Sequence, residues 1–310
     1  MNSEKEIDLS KAVLQKIIFP EKINVDVFVK RFDLIHPFIN GNKYFKLKYN
    51  LQYAKENNFN TILTFGGAYS NHIHATAAAG KIFGFETIGI IRGEEHLPLN
   101  PTLSFASKNG MKLFYVSRSD YRKKNSEEFY AWIKKKFGDV FIVPEGGSNQ
   151  LAIKGASEIP SLIEIDYDYV ITASGTAGTL SGLIVGLNNY KKVLGVAVLK
   201  GAEFLNKNVE FFTSKTSKQK FNNWSIVHNY HFGGYAKINR ELLIFINQIE
   251  ELNEVKLDPI YTGKMLYAVY DLARKNYFEK NKTIVCIHTG GLQGIEGMKD
   301  KMNFILSGKI

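Results

Sequence analysis

Two lysines three residues apart, Lys43 and Lys46, follow a glycine and an asparagine in Gly41-Asn42-Lys43-Tyr44-Phe45-Lys46. Positions i and i+3 of a helix share a face, so both amines can reach one site. One amine can attack a carbonyl, and the other can pair with a phosphate. A second segment, Gly66-Gly67-Ala68-Tyr69-Ser70-Asn71, closes an apolar run and puts a serine and an asparagine where a helix begins. Ser70 can cap that helix or carry a proton, and the N–H groups of Ser70, Asn71 and His72 can hold a carboxylate. A third segment, Ser174-Gly175-Thr176-Ala177-Gly178-Thr179, joins a strand to a helix through small residues, which lets backbone N–H groups close on an anion. It is no nucleotide P-loop, since no lysine follows its second glycine, and its glycine spacing fails the dinucleotide fingerprint. Each segment also has a plain structural reading: surface lysines, a helix cap, a tight turn. His72 and His74 raise a metal reading, but i and i+2 point apart on a helix and no acidic or cysteine partner lies nearby, so no metal is expected.

Strands and helices alternate to carry these segments. Residues 60–65 read as a strand, 70–83 as a helix, 87–91 as a strand, 101–109 as a helix and 112–116 as a strand. A helix over 126–137, with Glu127 and Glu128 at its start and lysines at its end, leads to a strand at 140–143 and to Pro144-Glu145-Gly146-Gly147. The rhythm restarts with a helix over 151–163, a strand at 169–172, the Ser174 loop and its helix, and a strand at 193–199. Amphipathic helices at 240–252 and 263–275 precede a strand at 283–287 that ends in His288-Thr289-Gly290-Gly291. This order predicts α/β architecture with parallel sheets covered on both faces, and a cleft at the carboxyl ends of the strands.

Composition narrows the classes. The chain has 310 residues, 45% hydrophobic and 23% charged, as in ordinary globular proteins. It has no apolar run long enough for a transmembrane helix, and residues 1–11 lack an apolar signal core. Cys286 is its only cysteine, so an internal disulfide is excluded and a cytoplasmic location is expected. The net charge of +10 is scattered; runs such as Lys134-Lys135-Lys136 read as solvated helix faces, and no nucleic-acid-binding motif accompanies them.

A nucleophilic lysine, a phosphate cradle, a side chain to hydrogen-bond a cofactor and a proton carrier together suit a pyridoxal-phosphate enzyme. The chain also resembles the family of 1-aminocyclopropane-1-carboxylate deaminase and D-cysteine desulfhydrase. The resemblance runs from about Phe38 to about Gly294 through Gly41-Asn42-Lys43 with Lys46, Gly66-Gly67 with Ser70-Asn71, Pro144-Glu145-Gly146-Gly147-Ser148, Asp258-Pro259-Ile260-Tyr261-Thr262-Gly263-Lys264, and His288-Thr289-Gly290-Gly291. It implies the tryptophan-synthase β-like fold: two three-layer α/β domains with parallel sheets and a cofactor cleft between them. The smaller would span 48–155 and the larger, cofactor-binding one 1–47 plus 156–310, and the enzyme would be a homodimer.

By the same resemblance, Lys43 is the Schiff-base lysine, Lys46 a phosphate partner, and residues Gly175, Thr176, Ala177, Gly178 and Thr179 the phosphate cradle. Asn71 would bond the cofactor's phenolic oxygen, Ser70 would move a proton, and Tyr261 and Tyr235 would be active-site phenols. The position of Thr262 carries Glu in the deaminases and Thr in the desulfhydrases. A threonine holds a ring-nitrogen proton less well than a carboxylate, which favours β-elimination over cyclopropane opening. The family's arginine within the first motif is replaced here by Tyr44-Phe45. The expected function is therefore a D-cysteine desulfhydrase-type lyase giving pyruvate, ammonia and sulfide. Cyclopropane-ring deamination is the first alternative, and a non-catalytic cofactor- or nucleic-acid-binding protein a minor one.

Overall fold

The computed structural model describes residues 7–308, so part of the polar opening stretch, residues 1–6, lies outside the described residues. Two sheets organise the chain. The chain opens with β1 (Leu14–Lys16), β2 (Asp26–Lys30) and α1 (Asn42–Glu56). Then come β3 (Thr61–Gly66), α2 (Asn71–Phe83), β4 (Glu86–Arg92), α3 (Pro101–Lys108), β5 (Met111–Val116), α4 (Arg118–Arg122), α5 (Glu127–Phe137) and β6 (Phe141–Val143). The remainder is α6 (Gln150–Ala156), β7 (Tyr169–Ser174), α7 (Gly178–Leu187), β8 (Lys192–Ala197), α8 (Phe204–Thr216), β9 (Trp224–Val227), α9 (Arg240–Asn253), α10 (Thr262–Arg274), β10 (Thr283–Ile287) and α11 (Lys299–Leu306).

The smaller sheet has the order β5-β4-β3-β6 and is parallel throughout. The larger has the order β1-β2-β10-β7-β8-β9. It departs from the expected all-parallel arrangement at one edge, where β1 runs antiparallel to β2. A short connection suffices for that reversal, whereas a parallel pair needs a crossover. Both sheets are covered on both faces, which is why their central strands read as near-continuous apolar runs. Along β7 and β10, neighbours divide between two cores: Ile171 and Cys286 face α9 and α10, while Val170 and Val285 face α7 and α8. In the smaller sheet Leu63 and Phe65 pack on α5, and Ile91 packs with Ile73 of α2 and Leu103 of α3.

Most expected elements are present within a residue or two of their predicted ends. The helix expected over 151–163 is not continuous. It stops at Ala156, and a separate 3-10 turn, Ile159–Leu162, follows. Pro160 has no N–H to donate and disfavours helix at the residue before it. The first strand pair, α8 and β9 went unannounced, being short or weakly periodic.

Two close approaches set the position of α1. Gly41 precedes the helix at φ +58°, and a Cβ there would lie 2.1 Å from the Thr289 carbonyl carbon. A Cβ on Gly155 of α6 would lie 1.8 Å from the Phe45 carbonyl oxygen. Only glycine permits either contact. They press the first turns of α1 between the end of β10 and α6.

Candidate active site

The ends of β3, β4, β6, β7, β8 and β10 converge on a cavity of about 870 Å³. The carboxyl ends of parallel strands are where such folds bind ligands. A second hollow of about 750 Å³ lies at the amino ends of β7 and β8, holds none of the motif residues, and has Lys191 and Lys282 paired with Asp166 and Asp168.

The two lysines of α1 enter this cavity by separate hydrogen-bond chains to the same loop. Lys43 Nζ donates to Asn42 Oδ1 (2.9 Å), and Asn42 Nδ2 donates to Thr179 Oγ1 (2.8 Å). Lys46 Nζ donates to Ser148 Oγ (2.8 Å), which lies 2.7 Å from Thr176 Oγ1. Asn42 is the first helical residue, and Gly41 is the cap, with no side-chain bond. Burial pushes the Lys43 amine down to about 8, against the pull of Asp258. Burial, and then the charge of Lys43, hold Lys46 well below the ordinary lysine range. A half-buried and a fully buried amine side by side cannot both carry a proton cheaply, and the neutral form is the nucleophile.

The loop from Ser174 to Thr179 lines the same wall. Ala177 takes a left-handed conformation at φ +65° to enter α7. Among the described residues, none of the N–H groups of Gly175, Thr176, Ala177 or Gly178 donates to a backbone carbonyl in the turns and loops. A Cβ on Gly178 would come within 2.5 Å of Ser148 Oγ and 3.0 Å of Lys46 Nζ. Ser174 Oγ is buried with no partner. Open backbone donors, a helix amino end and an ammonium form the donor set of a phosphate site, so these residues fit the phosphate of pyridoxal phosphate.

Across the cavity, Ser70 caps α2 by accepting from Ile73 N (3.3 Å). Its own N–H donates to Gly67 O (3.0 Å), which removes it from the expected carboxylate-binding trio. The N–H groups of Asn71 and His72, in the helix's first turn, keep no acceptor within the helix. Asn71 Oδ1 accepts from Gln293 Nε2 (2.9 Å), which leaves the Asn71 amide N–H groups to donate elsewhere. His72 Nε2 lies 2.9 Å from Thr64 Oγ1, and that hydroxyl donates to Val143 O (2.8 Å). The threonine proton being spent, the histidine ring is the donor, and its Nδ1 is left bare and buried. Burial, then Lys43 and Lys46, hold His72 well below its usual value, so it is a neutral ring. His74 turns the other way and stacks on Phe105 at 3.8 Å. Among the described residues no group of three His, Cys, Asp or Glu can hold a metal.

Tyr261 and Tyr235 both line the cavity, their rings 6.3 Å apart and edge to face. Burial, and then the neighbouring Tyr235, hold Tyr261 well above the usual phenol range, so it stays protonated. Thr262 stands apart from these two tyrosines. It is fully buried, absent from the cavity wall, and its hydroxyl donates to Asp258 Oδ2 (2.7 Å) while accepting from Asp258 N (2.9 Å). Asp258 also accepts from the N–H groups of Ile260, Tyr261 and Thr262, so the Asp-Pro-Ile-Tyr-Thr segment is a helix-entry turn that turns Thr262 inward. Thr289, just past the end of β10, is a threonine that does line the wall.

Several lining or supporting residues carry no assigned role in the sequence reading. Asn42 and Ser148 stand inside two of the motifs that carry the resemblance, Gly41-Asn42-Lys43 and Pro144-Glu145-Gly146-Gly147-Ser148, and that membership was the available signal. Gln293 had none: it reaches Asn71 across 222 residues of chain. Arg92, Arg118, Lys124 and Glu145 line the side formed by the smaller sheet. Glu145, the only carboxylate on the wall among the described residues, is tied to Lys124 (3.2 Å) and to the Tyr121 hydroxyl (2.8 Å).

Comparison with known proteins agrees with this geometry. The sequence model of the family described as "Pyridoxal-phosphate dependent enzyme" matches residues 14–290. A Pyrococcus horikoshii protein, whose name assigns it provisionally to 1-aminocyclopropane-1-carboxylate deaminase, is 31% identical over 295 residues, 92% of this chain and 90% of that one. An Arabidopsis thaliana protein named a bifunctional D-cysteine desulfhydrase/1-aminocyclopropane-1-carboxylate deaminase, mitochondrial, is 27% identical over 304 residues, 89% of this chain and 75% of that one. Among solved structures, one described as an ACC deaminase homologue superposes with a TM-score of 0.83 at 29% identity, covering 98% of this chain and 97% of that one. A hydrogen sulfide-producing enzyme from Fusobacterium nucleatum shares the fold, at a TM-score of 0.67 and 13% identity, covering 94% of this chain and 99% of that one.

Proposed function

The chain belongs to the pyridoxal-phosphate dependent enzymes, within the group that includes 1-aminocyclopropane-1-carboxylate deaminase and D-cysteine desulfhydrase, and on that premise we propose that it is a lyase of the D-cysteine desulfhydrase type. It would convert D-cysteine and water to pyruvate, ammonia and sulfide. When bound, pyridoxal phosphate supplies the electron sink for the pair left on Cα. Lys43 is the amine that would hold it, the 175–179 loop with Lys46 would take its phosphate, and Asn71 would hydrogen-bond its phenolic oxygen.

The chain's own groups then divide the work. The first-turn N–H groups of Asn71 and His72 bind the substrate carboxylate at the amino end of α2. The Ser70 hydroxyl and the Lys43 amine both line the cavity, and one of them takes the Cα proton. A lysine held at about 8 is a fit base near neutral pH. Protonated Tyr261 and Tyr235 offer a phenol proton to the departing sulfur.

The observation that carries this reading is the lack of a free carboxylate on the wall among the described residues. Glu145 is committed to Lys124 and Tyr121, and Asp258 is buried behind Thr262. A site of hydroxyl groups supports a weaker electron sink than one with a carboxylate. That suffices for a substrate with an acidic Cα–H and a leaving group, and serves a cyclopropane with no Cα–H less well. The second reading, cyclopropane-ring deamination, draws on the names of the Pyrococcus relatives. Incubation of the holoenzyme with each compound separates the two. Pyruvate and sulfide from D-cysteine support the proposal; 2-oxobutanoate from 1-aminocyclopropane-1-carboxylate with D-cysteine untouched overturns it. In the Lys43→Ala variant the absorbance of lysine-bound cofactor should vanish, and its persistence would remove Lys43 from the role.

A further inference from the structure

Lys264 is completely enclosed, yet it stands outside the cavity wall. Among the described residues its ammonium has only backbone carbonyls as hydrogen-bond partners: Gly234 O at 2.8 Å, His231 O at 2.9 Å and Val198 O at 3.5 Å. Asp258, a carboxylate whose charge acts on it, spends both its oxygens on Ile260, Tyr261 and Thr262. Burying a cation without a carboxylate partner is costly, so what it holds must need holding.

What it holds is the loop that carries Tyr235. Four residues of this loop have left-handed backbones: Phe232 (φ +52°), Gly233 (φ +96°), Gly234 (φ +124°) and Ala236 (φ +54°). Phe232 and Ala236 are not glycine, so the conformation persists only where surroundings over-determine it. The turns direct carbonyls inward, and two ammoniums from different helices collect them. Lys264 of α10 takes His231 O and Gly234 O; Lys301 of α11 takes Ala236 O at 2.9 Å. Phe232 also packs edge to face on Tyr267 of α10, with centroids 5.0 Å apart. Lys264 stands two residues after the helix's first residue, Thr262, and Tyr261 is its cap, so one short segment holds one active-site tyrosine and anchors the loop of the other.

We propose that Lys264, assisted by Lys301, is a positioning residue that pins the 231–236 loop and thereby holds Tyr235 against Tyr261 beside the cavity. The proposal rests on the assignment of both tyrosines to the active site. Lysine is suited to the task because its three N–H bonds radiate from one atom and meet carbonyls that no planar side chain could collect.

The test compares Lys264→Met, which keeps the stem and removes the donors, with Lys301→Ala, both as holoenzymes. Amide exchange over 231–236 should quicken about tenfold or more in Lys264→Met and less in Lys301→Ala, with β7 and α2 protected as before. The kcat/KM for D-cysteine should fall by about tenfold in Lys264→Met while the absorbance of bound cofactor is kept. Adding Lys264→Met to Tyr235→Phe should cost little more than Tyr235→Phe alone, a coupling that a purely structural lysine would not show. Unchanged exchange in the loop, a uniform rise across the molecule, or full additivity of the two variants overturns the proposal. If Lys264→Met does not fold, the loop exchange of Lys301→Ala decides. A wild-type enzyme without lyase turnover counts against the proposed activity, whereas the exchange rates judge the pin independently.

Discussion

Lys43 and Lys46 show how far neighbours govern a single amine. Lys46 is enclosed and Lys43 half-enclosed beside the phosphate loop, and the loss of water favours the neutral form of each. Condensation of pyridoxal phosphate with the apoenzyme should therefore quicken as pH rises through about 8, the point to which Lys43 is lowered. Stability of the apoprotein follows the same group. The folded protein loses the Lys43 proton near pH 8, whereas the unfolded chain keeps it to about 10.4, so in that window the unfolded state binds more protons and stability rises with pH. Lys264, also lowered to about 8 by burial, adds with the same sign. Melting temperatures of apoprotein measured between pH 7 and about 8.5, below the range in which Cys286 and the buried tyrosines ionise in the unfolded chain, check this; a fall across that window would contradict the burial of these amines. At the acid end His74 is lowered to about 4 by burial, so its contribution is present above its unfolded value of about 6.5 and is lost as pH falls toward 4.

At the scale of elements, the site depends on how closely α1 lies to its neighbours. α6 crosses it at Gly155, where no side chain separates the helix from the Phe45 carbonyl. Gly155→Ala would force the helices apart and should cost about 1–3 kcal/mol, read as a lower denaturant midpoint with unchanged slope. Because Lys46 is one residue beyond Phe45 and bonds Ser148 just ahead of α6, the same variant should weaken cofactor binding. A stable variant with normal cofactor affinity would show that the contact can relax. Local chemistry made most elements legible. Ser70, Asn100, Ser126 and Asn239 each cap the helix that follows by accepting from its first turn, which is why those starts were readable. The break at Pro160 and the left-handed 231–236 loop depend on one residue or on contacts from other helices, and periodicity reports neither.

At the scale of the molecule, the cavity joins residues of both sheets and of helices far apart in sequence. A cofactor seated there should couple the two halves. At a free concentration of a hundred times its dissociation constant it should add about 2.7 kcal/mol to stability, seen as a rise in melting temperature on titration with pyridoxal phosphate. Lys43→Ala should lose most of that rise, and a rise kept in full would place the attachment elsewhere. No helix among the described residues is long and apolar enough to cross a membrane. The sequence by itself determined the alternation of strands and helices, the small-residue loop after β7 and the paired lysines, because backbone preference, capping and hydrophobic period act over a few residues. Only the tertiary structure decided which hydroxyl faces the cavity and which is spent on Asp258, that Gln293 orients Asn71, that Ser148 receives Lys46, and that Lys264 reaches the Tyr235 loop. Those pairings join groups tens to hundreds of residues apart or turn on the direction of one side chain, and burial enforces them: a polar group withdrawn from water must find whichever partner the packing brings within about 3 Å.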